Sequence, residues 1–324
     1  MATSTLDSSR QPALSLTEAT LPPQSGRVFI VTGGSNGLGY ELSRILYGAG
    51  GKVYILTRSK ERAESAIARI KAHYRDEKEG VQDAGRQRGS LAFIHLDLMD
   101  FGSVKKAALE FLEREKGPEG RLDILSFNNA GTGGRKNAPA GQQGHEYHFT
   151  TNTMGPFLLT RLLTPVLSST ARRSPPGSVR PPPDGVRKEF LQAPNPSVIS
   201  AKDAMDYKEL YSQSKAACWF IASEFARRYA ETTGYTPNLL YFCVRPVLRN
   251  PSPVGAHTYL WMGFSDSVTL ADAAEGRYAT CDGRWHPGQR EDLVLAQRKV
   301  DEGGSGRASE VFDWCEEKVA EFLN

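Results

Sequence analysis

The stretch Arg27-Val-Phe-Ile-Val31-Thr32-Gly33-Gly34-Ser35-Asn36-Gly37-Leu38-Gly39 decides the fold. Val28 to Val31 form a short, β-branched apolar run, the pattern of a buried strand. Spaced glycines break it, and Leu42, Ile45, Leu46 and Ala49 then recur at helical spacing. Strand, glycine turn and amphipathic helix make the first half of a βαβ unit. In such a unit Gly33 permits the tight turn, Gly37 lets the backbone approach a pyrophosphate, and Gly39 allows close packing of the helix. The helix N-terminus offers N–H donors and a positive dipole end, with Ser35, Asn36 and Leu38 in the turn itself. Glycines between a strand and a helix are often turn formers and nothing more. Here the buried strand before them and the amphipathic helix after them favour nucleotide binding.

Outward from this turn the alternation repeats. Lys52 to Thr57 reads as a second strand, and Ser59 caps a charged helix running towards Glu77. Leu91 to His95 is a third strand, followed by a helix from about Phe101 to Glu115, and Leu122 to Phe127 is a fourth strand. Helices are expected over Thr151 to Leu167 and from Tyr207 or Leu210 to Arg228. Asn238 to Val244 and Arg277 to Cys281 read as late strands, and Gly306 to Phe322 as a closing amphipathic helix. Strands alternating with helices predict an α/β fold with a doubly wound parallel sheet, Rossmann-like, in a single domain over residues 26–324. A C-terminal substrate region is expected at about residues 245–290. Residues 174–196 hold seven prolines, so they cannot supply the central strand expected there.

Composition narrows the function. Forty basic residues against 37 acidic ones leave a net charge of +3, which is no footprint for a nucleic acid. Cys218, Cys243, Cys281 and Cys315 are scattered, without zinc-site spacing, which suits a reducing compartment and argues for no metal. No apolar run reaches the ~20 residues needed to span a bilayer. Residues 1–25, rich in Ser, Thr and Pro, read as a disordered leader rather than a secretory signal. A cytoplasmic protein is the resulting expectation.

The end of the second strand addresses which dinucleotide binds. An NAD site has Asp or Glu there, whereas this chain has Thr57-Arg58-Ser59, a guanidinium suited to a 2′-phosphate. Arg58 could also be an ordinary surface arginine, but the absent carboxylate favours NADP. Tyr211 and Lys215, at i and i+4, share one helix face. A phenol titrates near ~10, so proton transfer near neutrality needs a neighbouring cation, and Lys215 has the right sign. Alone, such a pair is more often a solvated helix face.

Thr32-Gly33-x-x-x-Gly37-x-Gly39, Asp97-Leu98, Asn128-Asn129-Ala130-Gly131, Asn152-Thr-Met-Gly155 and Tyr211-x-x-x-Lys215 occur in that order. Together they resemble the short-chain dehydrogenase/reductase family over most of the chain from Arg27 onward. Gly144-His145-Glu146, Asn152 to Leu163, Ser212 to Tyr229 and Gly283-Arg-Trp-His-Pro287 are similar to filamentous-fungal reductases of secondary metabolism. The resemblance implies that Asp97 serves the adenine and that the turn from Asn129 lines the adenosine side. It implies that Asn152 supports a water chain to Lys215, which would hold the ribose, and that Tyr211 is the proton donor. The resemblance also implies that Val247, after Pro246, would stand near the nicotinamide, where the family has glycine.

Two features depart from the family pattern. The serine that orients the carbonyl lies roughly a dozen residues before the tyrosine in the family, and Ser200 is the nearest candidate here; the alternative is that this serine is absent. No threonine follows Pro246 closely. Three readings result: an NADPH-dependent reductase of a small hydrophobic carbonyl or alcohol, a cofactor-binding isomerase, dehydratase or cyclase, and a non-catalytic remnant. None calls for a nucleic-acid or membrane partner, and a homo-oligomer stays open.

Overall fold

The computed structural model describes residues 16–76, 87–117, 120–126, 130–133, 135–171, 207–233, 252–265 and 291–324, with 268, 272, 275–277 and 285 between the last two stretches. Four strands, β1 (Val28–Thr32), β2 (Lys52–Thr57), β3 (Ser90–His95) and β4 (Ile124–Ser126), form a sheet in the order β3-β2-β1-β4. Every pairing is parallel, with Val28 opposite Lys52, Phe29 opposite Ile124 and Val53 opposite Leu91. Between and after them lie α1 (Gly37–Gly48), α2 (Lys60–Asp76), α3 (Phe101–Arg114), the short α4 (Tyr147–Phe149) and α5 (Gly155–Ala171). The chain continues with α6 (Tyr207–Thr233), α7 (Ser252–Phe264), α8 (Glu291–Gln297) and α9 (Arg307–Leu323).

All five residues of β1 are buried, because both faces of the sheet are covered. Successive side chains of a strand point to opposite faces. Val28 and Ile30 accordingly join a core with Phe101, Phe157, Trp219 and Phe312 from α3, α5, α6 and α9. Phe29 and Val31 join the other core, with Leu42 and Ile45 of α1, Ile70 of α2 and Leu260 of α7. This is the doubly wound parallel arrangement that the alternating sequence predicts. The first four strands match their expected positions to within two residues.

Elsewhere the structure adds to that reading. Residues 16–25, expected within the leader, are packed: Leu21 is buried, and Gln24 N–H donates to Ala49 O at 2.7 Å. Glu18 accepts from both terminal nitrogens of Arg44, at 2.6 and 2.7 Å, and from Tyr74 OH at 2.6 Å. Burial works to raise the Glu18 carboxyl, but these donors outweigh it and hold the group below the usual carboxylate range. A Ser/Thr/Pro-rich composition concealed one apolar anchor and one partly exposed ion pair. Residues 1–15 and the late strand expected over 238–244 lie outside the described residues, as does all but Arg277 of that expected over 277–281. Among the described residues no helix is long and apolar enough to cross a membrane.

The closing helix α9 belongs to the core. Phe312 meets Phe157 and Phe225 at ring-centroid distances of 5.0 Å each, and Arg228 lies 4.2 Å above its ring. Phe312→Ala should therefore cost about 3–5 kcal/mol, the usual loss for a fully buried phenylalanine. Urea unfolding checks this: the midpoint should fall with little change in slope, and a loss under 1 kcal/mol would place α9 outside the cooperative unit.

Candidate functional site

Parallel register brings the carboxyl ends of all four strands to one edge, where they open onto a cleft of about 490 Å³. Its lining comes from the glycine turn (Gly33 and residues 35–38), the end of β2 (residues 56–58), the end of β3 (residues 96–99) and the loop after β4 (residues 130–132). Arg62, Tyr147 and Thr151 complete it. Ligands of open α/β sheets bind at this edge.

The glycine turn has the backbone its sequence implies. Gly33 and Gly37 take φ of 63° and 54°, left-handed values that cost an L residue roughly 1–2 kcal/mol. A methyl group on Gly37 would meet no protein atom within 4 Å, so the approach to its backbone is open. The N-cap Asn36 makes no side-chain bond to the first turn of α1. At α3, by contrast, Asp100 Oδ1 accepts from Gly102 N at 2.9 Å. The first turn of α1 thus faces the cleft without a side-chain cap, the arrangement that binds anions. Gly39 is buried in α1 as its packing role requires.

Just beyond β2, Arg58 precedes α2 and Arg62 lies in its first turn, both exposed and both lining the cleft. Ser59 caps the helix as expected, its Oγ accepting from Arg62 N at 3.2 Å. The sequence reading missed Arg62 because a helix this charged gives a single guanidinium no contrast. Across the cleft, Asp97 Oδ1 accepts from Met99 N at 2.9 Å, and Asp97 N donates to Ser103 Oγ at 3.0 Å.

The other wall is built around one turn of π-helix, Thr150–Met154, between α4 and α5. π-turns place an extra residue in a helix and recur at functional sites. Asn152 sits in its middle and is buried. Its Oδ1 accepts from Thr132 N at 2.9 Å, while its Nδ2 donates to Thr132 O at 3.2 Å and to Ser214 Oγ at 3.1 Å. A methyl group on Gly131 would stand 3.0 Å from Asn152 Oδ1 and 3.4 Å from Lys215 Nζ, so amide and ammonium converge on that glycine. Lys215 Nζ is 5.7 Å from the centre of the Tyr211 ring, one turn earlier on α6. Burial pushes the Lys215 ammonium below the usual lysine range.

A second pair braces the same loop. His148, almost wholly buried, shares a 2.7 Å hydrogen bond between its Nδ1 and Glu146 Oε1, and its Nε2 accepts from Arg135 N at 3.2 Å. Glu146 Oε2 also accepts from Phe149 N at 2.9 Å, capping α4. The His148 ring lies edge-on to Tyr211 at 6.3 Å. The structure therefore brings Tyr211, Lys215 and Asn152 together behind Gly131 and Thr132, which line one end of the cleft. Gly33, Ser35, Asn36, Gly37, Leu38, Arg58 and Asp97 line the other part. Asn129, Ser200 and Val247 lie outside the described residues.

A family profile described as short chain dehydrogenase matches residues 27–178. A short-chain dehydrogenase/reductase of Neocamarosporium betae, bet4, is 35% identical over 96% of this chain and 92% of its own length. The chain belongs to the short-chain dehydrogenase/reductase family. A relative of the same description from Phomopsis amygdali is also 35% identical, over 95% of this chain and 93% of its own. The crystal structure of an uncharacterised protein from Mycobacterium paratuberculosis shares the fold, with a TM-score of 0.60, 22% identity, and coverage of 94% of this chain and 97% of the other.

Membership gives the glycine of Asn152-Thr-Met-Gly155 a physical reason. A methyl group on Gly155 would stand 2.8 Å from Leu98 O, so this short-chain dehydrogenase/reductase lets α5 touch the backbone that borders the cleft. Gly155→Ala should destabilise the fold by about 1–3 kcal/mol, the usual cost of overpacking, and push Leu98 into the cleft. Thermal unfolding together with a crystal structure of the variant tests this; wild-type stability with Leu98 unmoved would contradict it.

Proposed function

We propose that the protein is an NADP(H)-dependent oxidoreductase that interconverts a carbonyl and an alcohol on a small hydrophobic metabolite. The convergence of the Lys215 ammonium and the Asn152 amide on Gly131, beside Tyr211, carries this reading. It joins a proton donor to a cleft whose other end suits a dinucleotide. Three features fit the cofactor: a first turn of α1 without a side-chain cap from Asn36, the open backbone at Gly37, and two guanidinium groups beyond β2. Arg58 and Arg62 would hold the 2′-phosphate, and residues 35–38 the pyrophosphate. Asp97 and Asn129 would border the adenosine, and Val247 the nicotinamide.

The cofactor, when bound, supplies the hydride for reduction. Tyr211 then gives its phenolic proton to the carbonyl oxygen as negative charge develops there. Lys215 stabilises the phenolate left behind and holds the ribose, and Asn152 keeps the neighbouring loop and any bridging water in place. Ser200 would orient the carbonyl. The similarity to fungal relatives supports a secondary-metabolite pathway, and the scattered cysteines support a cytoplasmic setting.

Tyr211→Phe should keep cofactor binding while turnover falls ~10²-fold or more, within the reach of general acid catalysis. NADPH oxidation against a carbonyl panel measures it, and full activity in the variant would refute the assignment. If wild type binds NADPH but oxidises none with any carbonyl, the non-redox family chemistries become the better reading.

Arg58→Ala and Arg62→Ala should each weaken NADP(H) about tenfold or more, the size of a charged hydrogen bond, and leave NAD(H) nearly unchanged. Calorimetric titration of both cofactors decides the matter; equal weakening of the two would remove the 2′-phosphate role.

A further inference from the structure

Thr153 and Cys218 stand outside the proton path, yet both are buried against the residues that form it. In an α-helix the Asn152 carbonyl would accept from the N–H of residue 156, which here is proline and has none. The Cys218 thiol reaches that carbonyl from α6, donating to Asn152 O at 2.8 Å. Thr153 Oγ1 donates to Ser214 O at 2.8 Å, a carbonyl that also lies 3.2 Å from the thiol. Each group has one proton to give, so the hydroxyl serves Ser214 and the thiol serves Asn152. Ser214 Oγ closes the set, accepting from Asn152 Nδ2 and donating to Tyr211 O at 2.8 Å. Tyr211, Ser214 and Cys218 therefore bracket Lys215 with bonds tied to the π-turn or to α6 itself.

We propose that Thr153 and Cys218 are positioning residues whose hydroxyl and thiol hold the π-turn against α6, and so set where the Lys215 ammonium stands relative to Asn152 and Tyr211. This rests on Tyr211 and Lys215 as the reacting pair. Packing alone would be served equally by valine at 153, which has the shape of threonine; the bond to the Ser214 carbonyl would not, and alanine at 218 loses the thiol donor together with its buried sulfur. Burial keeps Cys218 a thiol, the form that can donate, although the neighbouring Lys215 pulls the other way. The attraction between an ammonium and a phenolate falls with distance, so a loosened turn weakens Lys215's hold on Tyr211.

The test is a ¹³Cζ-tyrosine NMR titration of the full chain without cofactor, with the Tyr211 signal assigned from Tyr211→Phe. Thr153→Val and Cys218→Ala should raise the pH at which Tyr211 ionises by roughly 0.5–1 unit, the effect of a weakened charge contact. Thr153→Ser and Cys218→Ser keep a donor and should titrate near wild type. In a Lys215→Met background, Thr153→Val should add no further shift. Folded variants that titrate as wild type would overturn the proposal, as would a shift that persists undiminished without Lys215. Should Cys218→Ala fail to fold, Thr153→Val and Thr153→Ser decide it alone. A Tyr211 titration indifferent to Lys215→Met would instead sink the reacting pair, a different result from failure of the clamp.

Discussion

The cleft depends on the Asn152 carboxamide. One oxygen and two N–H groups meet Thr132 N, Thr132 O and Ser214 Oγ, which uses both N–H groups and engages the oxygen. These bonds join the loop after β4, the π-turn and α6, three pieces of chain that are distant in sequence. Aspartate offers no donor, and leucine of similar size offers nothing to either backbone group. Buried backbone groups without partners are costly, so this loop holds its course only while the amide is present. The His148–Arg135 bond extends the same restraint three residues along, and Glu146 fixes the imidazole by its other nitrogen.

The opposite end of the cleft is organised by charge and by missing bonds. An uncapped helix N-terminus and two exposed guanidinium groups surround a space that none of the described side chains fills. Such a site is poorly satisfied by the protein itself, which is the condition for binding an anion strongly. The two ends therefore differ in kind. One is a network of matched hydrogen bonds, and the other is a set of donors that face the cleft.

Much of this was readable in the chain. The glycine turn, the basic end of β2 and the Tyr211–Lys215 spacing are local patterns, set by neighbouring residues and backbone conformation, whereas Asp97 came only with the family resemblance. The sheet followed from apolar runs that both faces bury. What escaped was set by tertiary contacts. Helix α7 carries apolar residues on nearly every side, Ala256, Tyr259, Leu260, Trp261 and Met262 among them, so it shows no helical period. The π-turn breaks the period that should announce α5, and it moves the helical start back to Tyr147. Arg62 needed the orientation of α2 before it could be distinguished from its charged neighbours. Leu21 and Glu18 needed their partners on α1 and α2. The serine question turns on Ser200, beyond the described residues.

The closing helix has a bearing on chemical reactivity. Cys315 on α9 and Cys218 on α6 are both buried, and burial raises both thiols above the usual range. Thiolate is the species that alkylating agents and peroxides attack, so neither sulfur reacts at an appreciable rate while α6 and α9 stay packed. Each modification event therefore counts an opening of that helix pair. The two sulfurs make a built-in clock for local unfolding on the side of the sheet that holds Tyr211 and Lys215.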